Sequence, residues 1–195
     1  MKPLPIWHPA SLFATFFCVG KVPFAPGTFG SLAAFPFFWV ILQLINHFYP
    51  IDYVNPMGRI LGMYGVWAAI LVILFIIGCW AGHIYAAESG DDDPSAVVID
   101  EVVGQGLVLL LTTPILVLSP ASLPLLVIVF ISSFILFRIF DIKKPWPVDW
   151  CDKNIKGGFG IMFDDIVAAV MAAVTFYIGW LIYQDFISAA AKHAH

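Results

Sequence analysis

The sequence predicts an all-α protein, a polytopic transmembrane helical bundle of about five membrane segments, and three observations carry that prediction. Of its 195 residues, 61% are hydrophobic and 11% are charged, whereas a soluble domain carries roughly 25% charged residues. The mean hydropathy is +0.94. The apolar residues also gather in runs long enough to cross a hydrocarbon layer. The same composition excludes a disordered chain, because 16% of the residues are aromatic. It argues equally against nucleic-acid binding: a net charge of -4 and nine Lys and Arg leave little for a phosphate-tracking surface.

A helix crossing a layer about 30 Å thick at 1.5 Å per residue needs about 20 mainly apolar residues. Five stretches qualify: Leu32 to Phe48, Ile60 to Ala81, Val102 to Leu118, Leu123 to Ile139 and Ile166 to Ile187. The third and fourth are short and joined by Ser119-Pro120-Ala121-Ser122, so they form a full or a re-entrant hairpin, and in either case the chain returns to the side it left. Ser11 to Val19 is too short to span. It reads as an interfacial helix rather than a cleavable signal, because a Lys-Val-Pro turn follows where a small-residue cleavage site would stand. The whole chain, residues 1–195, reads as a single integral membrane domain. Cys18, Cys79 and Cys151 are far apart and form no metal-ligand spacing, and Cys18 and Cys79, in apolar runs, read as small hydrophobes.

Counting crossings puts the N-terminal segment through Ser31, which includes residues 20–31, the loop of residues 82–101 and the loop of residues 138–165 on one face of the membrane. That face carries Lys2, Lys21, Arg138, Lys143, Lys144, Lys153 and Lys156, against Arg59 near the Pro50 loop and Lys192 on the other. The excess of cations marks it as cytoplasmic. The acids cluster there too. Glu88 and Asp91 to Asp93 read as a solvated run. Asp100, Glu101, Arg138, Asp141, Asp164 and Asp165 stand at the ends of apolar spans, where an ionisable side chain is costly and points to function.

Asp100-Glu101 and Asp164-Asp165 are adjacent carboxylate pairs at the predicted starts of the third and fifth spans. Four acids brought together repel and need a cation between them. Oxygen-only ligands suit Mg2+, and no His or Cys cluster points to zinc or copper. Two segments complement an acidic metal site. The Pro/Gly turn from Gly20 to Ser31 presents Lys21, Gly27, Thr28, Gly30 and Ser31 at a helix N-terminus, a setting that favours anions. Phe137 to Pro147 supplies Arg138 and Lys144 for phosphate oxygens, Asp141 for the metal and Trp146 for the interface.

These motifs resemble those of the bacterial phosphatidylglycerophosphatase A family of membrane lipid phosphatases. The resemblance covers about Ser11 to Ala173 and rests on four ordered stretches. They are Gly20-Lys21 with Ala25-Pro26-Gly27-Thr28-x-Gly30-Ser31-Leu32-Ala33; Asp93-Pro94 leading to Val98-Ile99-Asp100-Glu101-Val102-Val103-Gly104-Gln105; Phe137-Arg138-x-Phe140-Asp141-x-x-Lys144-Pro145-Trp146-Pro147; and Gly157-Gly158-x-Gly160-Ile161-Met162-x-Asp164-Asp165. One departure is visible: Asp152-Lys153 stands where the family pattern reads Asp-Arg, which keeps the charge but loses the bidentate fork. The resemblance implies Mg2+ dependence, the bacterial cytoplasmic (inner) membrane and a role in making phosphatidylglycerol and, downstream, cardiolipin.

The expected chemistry is metal-assisted hydrolysis of the phosphomonoester of phosphatidylglycerophosphate. Some of Asp100, Glu101, Asp141, Asp164 and Asp165 would hold one or two Mg2+. Lys21, Arg138 and Lys144, with Gly27, Thr28, Gly30 and Ser31, would bind the phosphate. Asp100, Glu101, Asp141 and Asp165 are the catalytic candidates, as general base or as a nucleophile giving an aspartyl-phosphate, and His83 is a secondary candidate base. The partners implied are the phospholipid substrate and the bilayer, with no obligate protein partner evident. The rival expectation is an ion or metal transporter with an acidic site at the membrane interface; the nearly uncharged span interiors argue against it.

Overall fold

The computed structural model describes residues 4–48, 56–118 and 122–193. Among the described residues every regular element is helical. A short helix α1 (Pro9–Ala14) and a 3-10 turn (Val19–Lys21) precede α2 (Pro26–Phe48), α3 (Pro56–Ser89), α4 (Ile99–Thr112), α5 (Pro114–Leu118), α6 (Leu123–Lys143), α7 (Val148–Asn154) and α8 (Gly157–His193). Five stretches are long and apolar enough to cross a membrane: Pro26–Phe48, Met57–Ser89, Ile99–Val117, Leu123–Lys143 and Gly157–Phe186. Residues 119–121 of the predicted hairpin turn, residues 50–55 of the predicted loop and Lys2 lie outside the described residues.

The helices outrun the apolar runs that announced them. The 34 residues of α3 and the 37 of α8 span about 50 and 55 Å at 1.5 Å per residue, well beyond a hydrocarbon layer of about 30 Å. Residues 82–101 and 138–165 are therefore loops only in part: α3 runs on to Ser89 and leaves residues 90–98 as the loop before α4, and the second segment holds the end of α6, all of α7 and the start of α8, joined by the short links 144–147 and 155–156. A helix satisfies its own backbone hydrogen bonds in lipid and in water alike, so nothing ends it at the hydrocarbon boundary. The acid pairs shift accordingly. Asp100 and Glu101 occupy the first turn of α4, but Asp164 and Asp165 stand about two turns inside α8, which begins at Gly157.

α4 is the central element. Its span is 61% buried, against 11–28% for the other four, and it packs on α2, α3, α6 and α8. Small residues make the approach close. Ala168, Ala169, Ala172 and Ala173 of α8 are buried, which lets helices approach closely, and Gly104 and Gly106 of α4 leave room for the rings of Phe137 and Phe38. Pro114 has no N–H to continue α4, and the chain restarts as α5. Outward faces carry apolar side chains such as Ile73, Ile76, Ile131 and Ile178, each more than half exposed. Such a band is an aggregation liability in water and an ordinary surface in lipid.

Of the Ser11 to Val19 run expected as an interfacial helix, only Ser11–Ala14 is α-helical, within α1, and Val19 opens the 3-10 turn. His8 caps α1 through Nδ1, which accepts from the Ala10 N–H at 3.2 Å, and the Ala14 carbonyl accepts from the Val98 N–H at 2.9 Å. That bond ties the N-terminal region to the entrance of α4.

Gly158 sets the crossing of α3 and α8. A Cβ there would overlap the Cys79 carbonyl oxygen and the His83 backbone nitrogen, neither of which can rotate aside. Gly158→Ala is expected to lower stability by about 1–3 kcal/mol, read as a lower melting temperature in detergent. An unchanged melting temperature would mean that the crossing is looser than described.

Candidate active site

Residues from all three segments meet at one end of the bundle around a cavity of about 450 Å³. α2 contributes Gly27 and Thr28, α4 Asp100 and Glu101, α6 and its cap Arg138, Asp141 and Lys144, α7 Asp152, and α8 Asp164 and Asp165; Asp92 and Asp93 stand on the rim. The packing of α4 against α8 brings the two carboxylate pairs together, although they are far apart in sequence.

Asp100, Asp164 and Asp165 are each less than 10% exposed. One carboxylate oxygen from each of Asp100, Glu101 and Asp165 lies within 4.8 Å of the other two. In both pairs the first acid accepts a hydrogen bond from the backbone N–H of the second: Asp100 Oδ1 from Glu101 N at 3.0 Å, and Asp164 Oδ1 from Asp165 N at 3.1 Å. That bond turns each leading carboxylate toward its own helix. Glu101 Oε2 and Asp165 Oδ2 are buried with no hydrogen-bond partner. Buried oxygens are normally paired. Two unpaired anionic oxygens beside a third carboxylate form a hard, oxygen-only donor set, which fits a divalent cation such as Mg2+.

Two cations back this acidic floor. Arg138 Nη1 is 2.5 Å from Asp141 Oδ2 and 3.9 Å from Glu101 Oε1, and it donates to Ser31 Oγ at 3.3 Å. Ser31 in turn donates to the Gly27 carbonyl at 3.0 Å, so the guanidinium is anchored to the first turns of α2. A Cβ at Gly27 would overlap the Glu101 carboxylate and push that side chain aside. Lys144, at the C-cap of α6, has a φ of +43°, a left-handed conformation that costs a side-chain-bearing residue about 1–2 kcal/mol. Its ammonium meets Asp152 Oδ1 at 2.6 Å and Asp164 Oδ2 at 2.9 Å, which offsets that strain and ties α6, α7 and α8 together. Burial works to lower the Lys144 pKa, but the hydrogen bonds and charges of Asp152 and Asp164 override it and hold the group above its ordinary value.

The remaining expected site residues fall around this centre rather than in it. Lys21 is exposed in the 3-10 turn and does not line the cavity, because Gly20 is pressed against the Ala96 carbonyl and fixes the turn. Gly30 packs on Val98, and Ser31 is fully buried as a support for Arg138. His83 is exposed on α3, beside Gly157 and outside the cavity lining. Lys153 forms an exposed pair with Asp149 at 2.7 Å. Sequence reasoning missed the part played by Asp152. Its bond to Lys144 crosses a turn between two helices, and no spacing rule signals it.

Helices made for lipid and a basin of facing carboxylates and cations at their end define a membrane-embedded enzyme that works on an anionic group. The chain belongs to the phosphatidylglycerophosphatase A family, whose family model matches residues 12–180, and it is a phosphatase. It is 33% identical over 175 residues to phosphatidylglycerophosphatase A of Escherichia coli, covering 89% of this chain and 83% of that one. It is 30% identical over 178 residues to the protein of the same name from Haemophilus influenzae, covering 91% and 92%. A Bacteroides thetaiotaomicron protein described as a candidate phosphatidylinositol-3-phosphatase is 34% identical over 172 residues, covering 88% and 94%. No solved structure matches the chain.

The Lys144 tie yields a test. Lys144→Met leaves Asp152 and Asp164 without their cation and is expected to cost about 1.5–3 kcal/mol of stability, the range for hydrogen bonds to charged groups. Lys144→Arg retains the charge and should recover part of the loss. Thermal unfolding in detergent measures both, and a Met variant as stable as the parent would remove the tie from the account.

Proposed function

We propose that the protein hydrolyses the phosphomonoester of phosphatidylglycerophosphate to phosphatidylglycerol and inorganic phosphate, at the cytoplasmic face of the bacterial inner membrane. The observation that carries the reading is the Asp100, Glu101 and Asp165 cluster facing Arg138 in one basin, in a chain 30–33% identical to two proteins named phosphatidylglycerophosphatase A. The product phosphatidylglycerol gives the reaction a place in phospholipid synthesis. The six described cations of the site-bearing end, Lys21, Arg138, Lys143, Lys144, Lys153 and Lys156, support the cytoplasmic assignment.

Hydrolysis breaks the bond between phosphorus and the glycerol oxygen and forms a new P–O bond to water. Phosphate oxygens approaching the basin meet the guanidinium of Arg138 and the first turn of α2 at Gly27 and Thr28, a helix N-terminus whose dipole favours an anion. Arg138 is held from three sides by Glu101, Asp141 and Ser31, so its donors are oriented before substrate arrives. Asp100, Glu101 and Asp165, with Asp164 and Asp141 beside them, would hold Mg2+. When bound, that ion supplies Lewis-acid chemistry that offsets negative charge on the phosphoryl group. A carboxylate with an unpaired oxygen, such as Asp165 or Glu101, either accepts the proton of the attacking water or attacks phosphorus itself. Rapid-quench trapping of an acyl-phosphate from labelled substrate separates these routes.

The setting suits a lipid. Phe24, Trp146 and Trp150 stand close in sequence to lining residues and are 78%, 79% and 53% exposed. Such rings settle at the headgroup level of a bilayer, which keeps the acyl chains in lipid while the phosphorylated headgroup reaches the basin.

Asp165→Asn and Glu101→Gln are expected to lower phosphate release by about 10²–10³-fold while leaving insertion into the membrane unchanged. Chelation with EDTA should abolish the parent activity, and Mg2+ should restore it. Parent-like rates in both variants would overturn the assignment of the basin.

Substrate choice is tested separately. Phosphate release from phosphatidylglycerophosphate is expected to exceed release from phosphatidic acid and from phosphatidylinositol-3-phosphate. A preference for the last would align the chain with its Bacteroides relative instead.

A further inference from the structure

Gln105 is fully buried, and neither its amide nitrogen nor its carbonyl oxygen has a hydrogen-bond partner. Leaving a buried polar atom unpaired is costly, so a residue with two of them in the central helix calls for a reason. Gln105 stands four residues after Glu101 on α4, on the same face. Side chains on a helix lean toward its N-terminus, which aims Gln105 at the Glu101 turn.

The neighbours of α4 show where that face looks. At Gly104 a Cβ would meet Phe137 of α6 and the Asp165 carbonyl of α8, and at Gly106 it would meet Phe38 of α2 and Leu71 of α3. Gln105 lies between these directions around the helix and faces the crevice between α6 and α2. Glu101 faces the same crevice, against Arg138 of α6 and Gly27 of α2.

Two other buried atoms beside that crevice lack partners: the acceptor Glu101 Oε2 and the donor Arg138 Nε. A glutamine amide offers one donating and one accepting end, the complement of that pair. Resting on the phosphatase reading above, we propose that Gln105 is a positioning residue. Because none of these atoms bonds another directly, a bridging water carries each link: Gln105 Nε2 donates to one that donates to Glu101 Oε2, and Gln105 Oε1 accepts from one that accepts from Arg138 Nε, and together these bonds fix the carboxylate and the guanidinium that face the phosphate.

The test uses the full-length protein in phosphatidylglycerol-containing vesicles, with phosphatidylglycerophosphate as substrate. Gln105→Met, which fills the same space without polar ends, should melt at or above the parent temperature. It should lower kcat about tenfold or more with little change in KM, as expected for a lost hydrogen bond to a charged group. Gln105→Asn keeps both ends on a shorter stem and should recover part of kcat. Gln105→Glu keeps the accepting end alone and should stay low. Parent kcat in the Met variant, or equal kcat in the Asn and Met variants, would overturn the proposal. Should the Met variant fail to fold, equal kcat in the Asn and Glu variants would overturn it as well. A parent protein that releases no phosphate from this lipid would instead overturn the reading on which the proposal rests.

Discussion

Asp100, Glu101, Asp164 and Asp165 share one basin because α4 and α8 pack side by side, and carboxylates at such separations repel strongly once water is excluded. The surrounding architecture answers that repulsion. Arg138 comes from α6 to stand between Glu101 and Asp141, and Lys144 bends through a left-handed backbone to reach Asp152 and Asp164. Each cation joins helices that would otherwise be driven apart. Removing one partner of a buried ion pair is far more costly than the pair itself is stabilising, so these contacts bind the bundle's end into one unit.

Compensation is incomplete, and where it is incomplete is informative. The unpaired atoms Glu101 Oε2, Asp165 Oδ2, Arg138 Nε and both ends of Gln105 include three from groups at or directly facing the carboxylate cluster. A bundle selected only for stability would satisfy or remove them. On the proposed reading a divalent cation would complete the carboxylate oxygens, and Gln105 would link, through water, to Glu101 Oε2 and Arg138 Nε.

Below the basin the constraint changes from charge to distance. In lipid, helices gain nothing from hiding apolar surface from one another, and association depends on close backbone approach. Gly158 and the alanines of α8 provide it, while Gly104 and Gly106 make room for Phe137 and Phe38, which are themselves almost fully buried. The acid pairs are held rigidly because the helices that carry them cannot slide.

Much of this was legible in the chain. Five apolar runs and sparse charges determined the membrane-spanning helices, since hydrocarbon admits few other structures, and the clustering of acids and cations marked the three segments that form the basin. Helix ends were not legible, because hydropathy registers where lipid ends and helices continue past it, as α3 and the start of α8 do. Nor could spacing separate Arg138, which reaches the carboxylates, from Lys21, which the Gly20 turn leaves outside. The pairing of Lys144 with Asp152 and the unsatisfied amide of Gln105 depend on the angles at which α4, α6, α7 and α8 meet. The sequence by itself determined which residues carry charge and on which side of the membrane they gather relative to one another. The tertiary structure decided which of those charges neutralise each other and which remain open, because pairing is set by distances of a few ångströms between helices that the linear order does not encode.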